Sequence, residues 1–74
     1  MKLPTVNKTS LMNNAKFLTF IHGRQTNVII NDIEGHFIAK IEDVDPDYFL
    51  NHFDYGQDVC EDETQIKRFL SELF

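Results

Sequence analysis

The stretch NVIINDIEGHFIAKIE, residues 27–42, constrains the fold more than any other part of the chain. Residues 27–33 are rich in β-branched side chains, and in 36–42 Phe37, Ala39 and Ile41 alternate with Ile38, Lys40 and Glu42. That period belongs to a strand with one buried face. Between the two runs, Glu34-Gly35 fits a two-residue hairpin turn, with glycine supplying the positive φ. Pairing Ile33 with His36 then aligns Ile30 with Ala39 and Val28 with Ile41. The expected buried face is Val28, Ile30, Phe37, Ala39 and Ile41, so register and alternation agree. The aromatic, β-branched KFLTFI, 16–21, precedes a turn-like HGRQT and is read as a third strand. The alternative is a helix capped by Ser10, running through Leu11, Met12 and Ala15 to Ile21 and stopped at Gly23.

Two helices are expected downstream. Asp45 suits an N-cap and Pro46 the first helical position, where its missing N–H costs nothing. Val44 and Phe49 occupy the positions of a hydrophobic staple, and Gly56 ends the helix. Phe49, Leu50 and Phe53 would face the core, with Asp47, Asn51, Asp54 and Asp58 as a stripe on the other side. The last helix starts at Asp62 with Gln65 as a capping-box partner, and Ile66, Phe69, Leu70 and Leu73 recur at helical spacing. The expected fold is therefore α+β. An N-terminal arm or short helix (1–15) precedes a three-stranded antiparallel meander (16–42), which packs against helices at 45–55 and 62–74.

The 74 residues suffice for a single domain near the lower limit for a self-supporting core. A core of that size leaves little room for a deep pocket, which points away from an enzyme. The one cysteine, Cys60, excludes an internal disulfide and fits a reducing cytoplasm. No apolar run suits a signal peptide or a membrane span, so a cytoplasmic location is expected. A preference for Asn, Ile, Phe and Lys over Ala, Gly and Arg suggests an AT-rich genome.

Charge carries the functional signal. Residues 1–40 hold five basic and two acidic side chains, a net of +3, whereas residues 41–74 hold two basic and ten acidic, a net of −8. Within Glu42–Glu63, nine of 22 residues are Asp or Glu and none is Lys or Arg. Most surfaces intersperse both signs. Such a run repels nucleic acid and attracts basic protein surfaces. Caps account for Asp45 and Asp62 and, in part, for first-turn Glu63; a solvated face would account for the rest, but not for the missing Lys and Arg.

Other chemistries fit poorly. Asp43, Asp45, Asp47 and Asp54 match positions 1, 3, 5 and 12 of a calcium loop. Tyr48 stands where that loop requires glycine, Pro46 lies inside it, and the bidentate Glu is missing. His22, His36, His52 and Cys60 have no zinc-site spacing, and a His52/Cys60 nucleophile pair lacks an oxyanion hole. Lys2, Lys8, Lys16, Arg24 and Lys40 are scattered, so direct nucleic-acid binding is not expected. No cofactor or metal is expected.

A small, acidic, cysteine-poor chain with a β-meander and acidic C-terminal helices resembles phage-encoded anti-defence proteins, in particular DNA-mimic anti-CRISPR proteins. The resemblance is one of layout and charge over most of the chain, with no shared motif. It implies a non-catalytic inhibitor in the host cytoplasm that competes with DNA for a basic site on a nuclease or another nucleic-acid-binding protein. The residues expected to meet that site are Glu42, Asp43, Asp47, Tyr48, Asn51, Asp54, Tyr55, Asp58, Glu61 and Glu63. The competing expectation is a structural or regulatory interaction module with a merely solvated acidic surface, homodimeric through exposed meander edges.

Overall fold

A computed structural model describes all 74 residues. The chain is α+β: helix α1 (Lys8–Asn14), strands β1 (Phe17–Ile21), β2 (Thr26–Asn31) and β3 (Phe37–Val44), helix α2 (Pro46–Leu50), strand β4 (Val59–Cys60) and helix α3 (Glu63–Leu73). One antiparallel sheet runs in the order β3-β2-β1-β4.

Two cross-strand rows line its inner face. Cys60, Leu18, Ile30 and Ala39 form one, and Phe20, Val28 and Ile41 the other. All seven side chains are buried. The helices cover this face with Leu11 from α1, Phe49 from α2 and Ile66, Phe69 and Leu70 from α3, closing one contiguous core. The opposite face, with the row Val59, Thr19, Ile29 and Lys40, carries no helix and is partly open to solvent.

The 27–42 register holds at Val28–Ile41 and Ile30–Ala39, but the turn differs from the expected one. Asp32 N–H donates to the His36 carbonyl and Gly35 N–H to the Asp32 carbonyl, so the loop is three residues, Ile33–Gly35, with Gly35 at φ 85°. This is the turn-plus-bulge loop that glycine permits. The Asp32 carboxylate fixes it by accepting from the backbone N–H groups of Glu34 and His36. Asn31 then pairs with Phe37, and a bulge at Ile38 restores the register at Ala39. The slip turns Phe37 outward: it is 64% exposed rather than buried. A second bulge leaves Asp43 in the left-handed region at φ 58°, its N–H donating to Asn27 Oδ1 at 3.0 Å.

Residues 1–15 combine both readings, a non-helical arm that bridges to β3 at Lys2 and then the short helix α1, but the cap is Asn7 and not Ser10. Asn7 accepts from the Ser10 N–H at 2.9 Å. Residues 17–21 are a strand and not a continuation of that helix.

The helix expected over 45–55 stops at Leu50. Beyond Asn51 the chain turns. Gln57 Oε1 accepts from the Asp54 N–H, Gln57 Nε2 donates to the Val59 carbonyl, and Gly56 takes φ 79°. The Asp58 carbonyl then accepts from the Phe20 N–H, drawing Val59–Cys60 into the sheet as the fourth strand. An otherwise open edge of β1 competes here with further helix, and wins. Phe49 and Phe53 are buried as expected, but Leu50 is 46% exposed.

Asp62 caps α3 through the Thr64 and Gln65 N–H groups. Gln65 does not complete a capping box; its amide donates to the His52 carbonyl at 3.3 Å and ties α3 to the end of the α2 segment.

Candidate functional site: a strap and a cleft beside α2

The route of the acidic segment follows from the strand order. β3 and β4 are opposite edges of the sheet, so residues 45–58 cross its helical face from one side to the other. We call this crossing the strap. Phe49 and Phe53 anchor it on β1, their rings 4.9 and 4.7 Å from that of Phe20. Phe53 continues to Phe69 of α3 at 5.1 Å. Phe49 and Phe53 point down, and the carboxylates of the strap stay in water.

The partner-binding residues expected from the sequence are thereby divided. Asp47 lies in α2, Asn51 at its C-cap, Asp54 and Tyr55 in the following turn, and Asp58 just before β4; all five are exposed. They do not form a helical stripe, because the helix has ended before Asp54. Asp43 is exposed on the β3 bulge. Glu42 is half-buried, with its backbone paired to Lys2 by Lys2 N–H to Glu42 O at 2.7 Å and Glu42 N–H to Lys2 O at 3.0 Å. Glu61 and Glu63 lie at the far end of the sheet, beyond Cys60, and Glu61 lines a shallow hollow with Lys16 and the 31–35 turn.

Compensation is equally uneven. Glu63 meets Lys16 at 2.7 Å and Lys67 at 3.3 Å, and these lysines hold its carboxyl below the ordinary range. Among the nine acids of 42–63, no other has a Lys or Arg within ion-pair distance; Asp58 alone has a histidine, His22 Nε2 at 3.8 Å. Asp43, Asp45, Asp47 and Asp54 are exposed and free of any ion pair. No three His, Cys, Asp or Glu side chains are grouped as a metal site requires.

Tyr48 is drawn inward. Its ring packs 5.1 Å from His52 and 5.6 Å from Phe69, and its hydroxyl points to the Phe69 carbonyl at 3.4 Å. Burial, then the nearby Glu72 charge, push its pKa up. Tyr48 is a packing residue with little ring left to offer a partner. Tyr55 is the opposite case, at 92% exposed.

Beside Tyr55 lies a cleft of about 350 Å³. The β1–β2 turn supplies His22, Gly23 and the start of β2, Thr26; the strap supplies Pro46, Phe49, Leu50, Tyr55 and Gly56. His22 is held by both ring nitrogens, Nδ1 at 3.1 Å from the Thr26 hydroxyl and Nε2 against the Gln57 carbonyl. The cleft joins residues more than thirty positions apart, so no local pattern announces it. Helical spacing puts Leu50 on the core side and His22 has no metal-site spacing, so neither points to a shared wall.

Nor does any relative supply a role: no protein-family model, curated protein or solved structure matches the chain. No helix is long and apolar enough to cross a membrane.

Proposed function

We propose that this protein is a non-catalytic binding protein whose strap, with Asp43 on the bulge just before it, docks on a basic surface of a nucleic-acid-binding protein and blocks it. One observation carries the reading: Asp43, Asp45, Asp47 and Asp54 are exposed, belong to one continuous segment and have no cation paired with them. Like charges so arranged repel one another, and an interface of opposite sign relieves that repulsion. The carboxylates would take positions that phosphates otherwise occupy opposite Arg and Lys. The likeness in layout and charge to DNA-mimic anti-CRISPR proteins supports the same reading and makes a phage-encoded inhibitor of a host nuclease its most specific form. The four-stranded sheet and the broken stripe alter how the charges are presented: by a strap fastened over a sheet, not by a helical face.

The competing reading is a homodimer. Its expected route through the meander edges is narrowed, because Lys2 pairs with one edge at Glu42 and β4 covers the other with only two residues. The bare outer sheet face, where Ile21, Val59 and Phe37 are exposed, favours association through that face instead.

The test compares wild type with Asp47→Lys/Asp54→Lys/Asp58→Lys as baits in a bacterial lysate at low and near-physiological salt. Wild type should retain nucleic-acid-binding proteins in a salt-sensitive manner, and duplex DNA should compete. The triple variant should keep its circular dichroism spectrum and retain none of them. Equal capture by both baits overturns the reading.

A further inference from the structure

We infer that the cleft between the β1–β2 turn and the strap receives one arginine side chain of the basic partner. This rests on the proposed function and names the contact that would give it specificity.

Size comes first. At about 350 Å³ the cleft is at the small end of ligand pockets, which run from about 300 to 1,000 Å³. It has room for one long side chain, with space to spare at its open mouth. The walls suit an alkyl stem with a flat head. Pro46 and Leu50 offer apolar surface for methylenes, and Gly23 and Gly56 leave backbone without side chains at the margin. Tyr55 presents a nearly bare aromatic ring, with Gly56 behind it in a left-handed turn. A guanidinium stacks on such a ring and keeps its in-plane N–H groups for carboxylates; an ammonium has no plane to stack.

Charge then selects the sign. Asp45 and Asp47 flank Pro46, Asp54 precedes Tyr55, and the Asp58 carboxylate is 3.8 Å from His22. Against these four stands Arg24, next to Gly23 and in no ion pair. An anionic side chain would be repelled, and a neutral one would gain nothing from the carboxylates. Exposed Tyr55 and half-exposed Leu50 offer apolar surface that an occupant of the cleft would partly cover, as expected of an anchor position in an interface.

The test titrates the full isotope-labelled chain with a capped Gly-Gly-Arg-Gly-Gly peptide and its lysine and citrulline counterparts, following backbone amide shifts. Expected are saturable shifts at Gly23, Leu50, Tyr55 and Gly56, several-fold tighter for arginine than for lysine and absent for citrulline. Tyr55→Ala, a change at an exposed side chain, should weaken the arginine peptide about threefold to fivefold, as loss of an exposed cation–π contact implies. Arginine and lysine giving equal, unsaturated shifts spread along the strap would overturn the arginine site and leave charge-driven docking standing. So would lysate capture by Tyr55→Ala that equals wild type while the triple Lys variant captures nothing. Absence of shifts from both cationic peptides also overturns it. The proposed function fails separately, if the triple Lys variant still captures its targets.

Discussion

Lys16 Nζ lies 2.7 Å from Glu63 Oε1, joining the residue before β1 to the first turn of α3. This contact, with Lys67 one helical turn along, sets Glu63 apart from the strap carboxylates. Glu63 is compensated by two lysines, and the exposed Asp43, Asp45, Asp47 and Asp54 are not.

Replacing Lys16 with Met should move the Glu63 titration upward toward the ordinary carboxylate range, read by NMR against pH. Its folded-state pKa lies below its unfolded one. The stabilisation is therefore present above the unfolded carboxylate range and lost as pH falls through the folded value. The variant should show a shallower acid limb in its stability profile. An unchanged limb would mean that the pair contributes nothing measurable.

The two Asp caps should separate cleanly. Asp62 accepts from two backbone N–H groups, so Asp62→Ala should cost about 1 kcal/mol by urea unfolding. Asp45 occupies the cap position of α2 without a side-chain hydrogen bond, so Asp45→Ala should be within about 0.5 kcal/mol of wild type. Equal losses would contradict the cap geometry.

Glycine 35 should be intolerant and glycine 23 tolerant. A Cβ at Gly35 meets no atom within 4 Å, but φ 85° strains any L side chain, so Gly35→Ala should destabilise by about 1–2 kcal/mol. At Gly23 the φ is not positive and the nearest contact is an ordinary 3.6 Å to the Gln25 carbonyl. Gly23→Ala should be nearly neutral in thermal melts.

Cys60 should resist thiol reagents until the fold opens. The side chain is buried, and burial pushes the thiol pKa up, so the reactive thiolate is scarce. Labelling at pH 8 should be slow in buffer and rise steeply across the urea transition. Fast labelling of the native chain would show that β4 frays from the sheet.

Elements encoded by neighbouring residues were legible. The alternation of Val28, Ile30, Ala39 and Ile41, and the helical spacing of Ile66, Phe69 and Leu70, each survive in the core. What escaped depends on competition between distant groups. Val59-Cys60 is too short for any period, and pairs because Phe20 has an N–H to satisfy and Asp58 a carbonyl to offer. The 45–55 helix had a staple and a proline in its favour, yet Gln57 side-chain bonds and the pull of β1 end it at Leu50. Phe37 was lost to a single bulged residue, since one step reverses the faces of a strand. At the site, the charge asymmetry was visible and the cleft was not, because its two walls meet only through the tertiary fold.

The strap fastens the hydrophobic core as well as carrying charge. Phe49 and Phe53 hold it down on Phe20 and Phe69, so lifting it would uncover the largest aromatic cluster in the molecule. A partner that grips the strap from outside therefore opposes its lifting, by mass action on the closed form. Amide exchange along 49–60 would slow on capture, even at residues that the partner never touches.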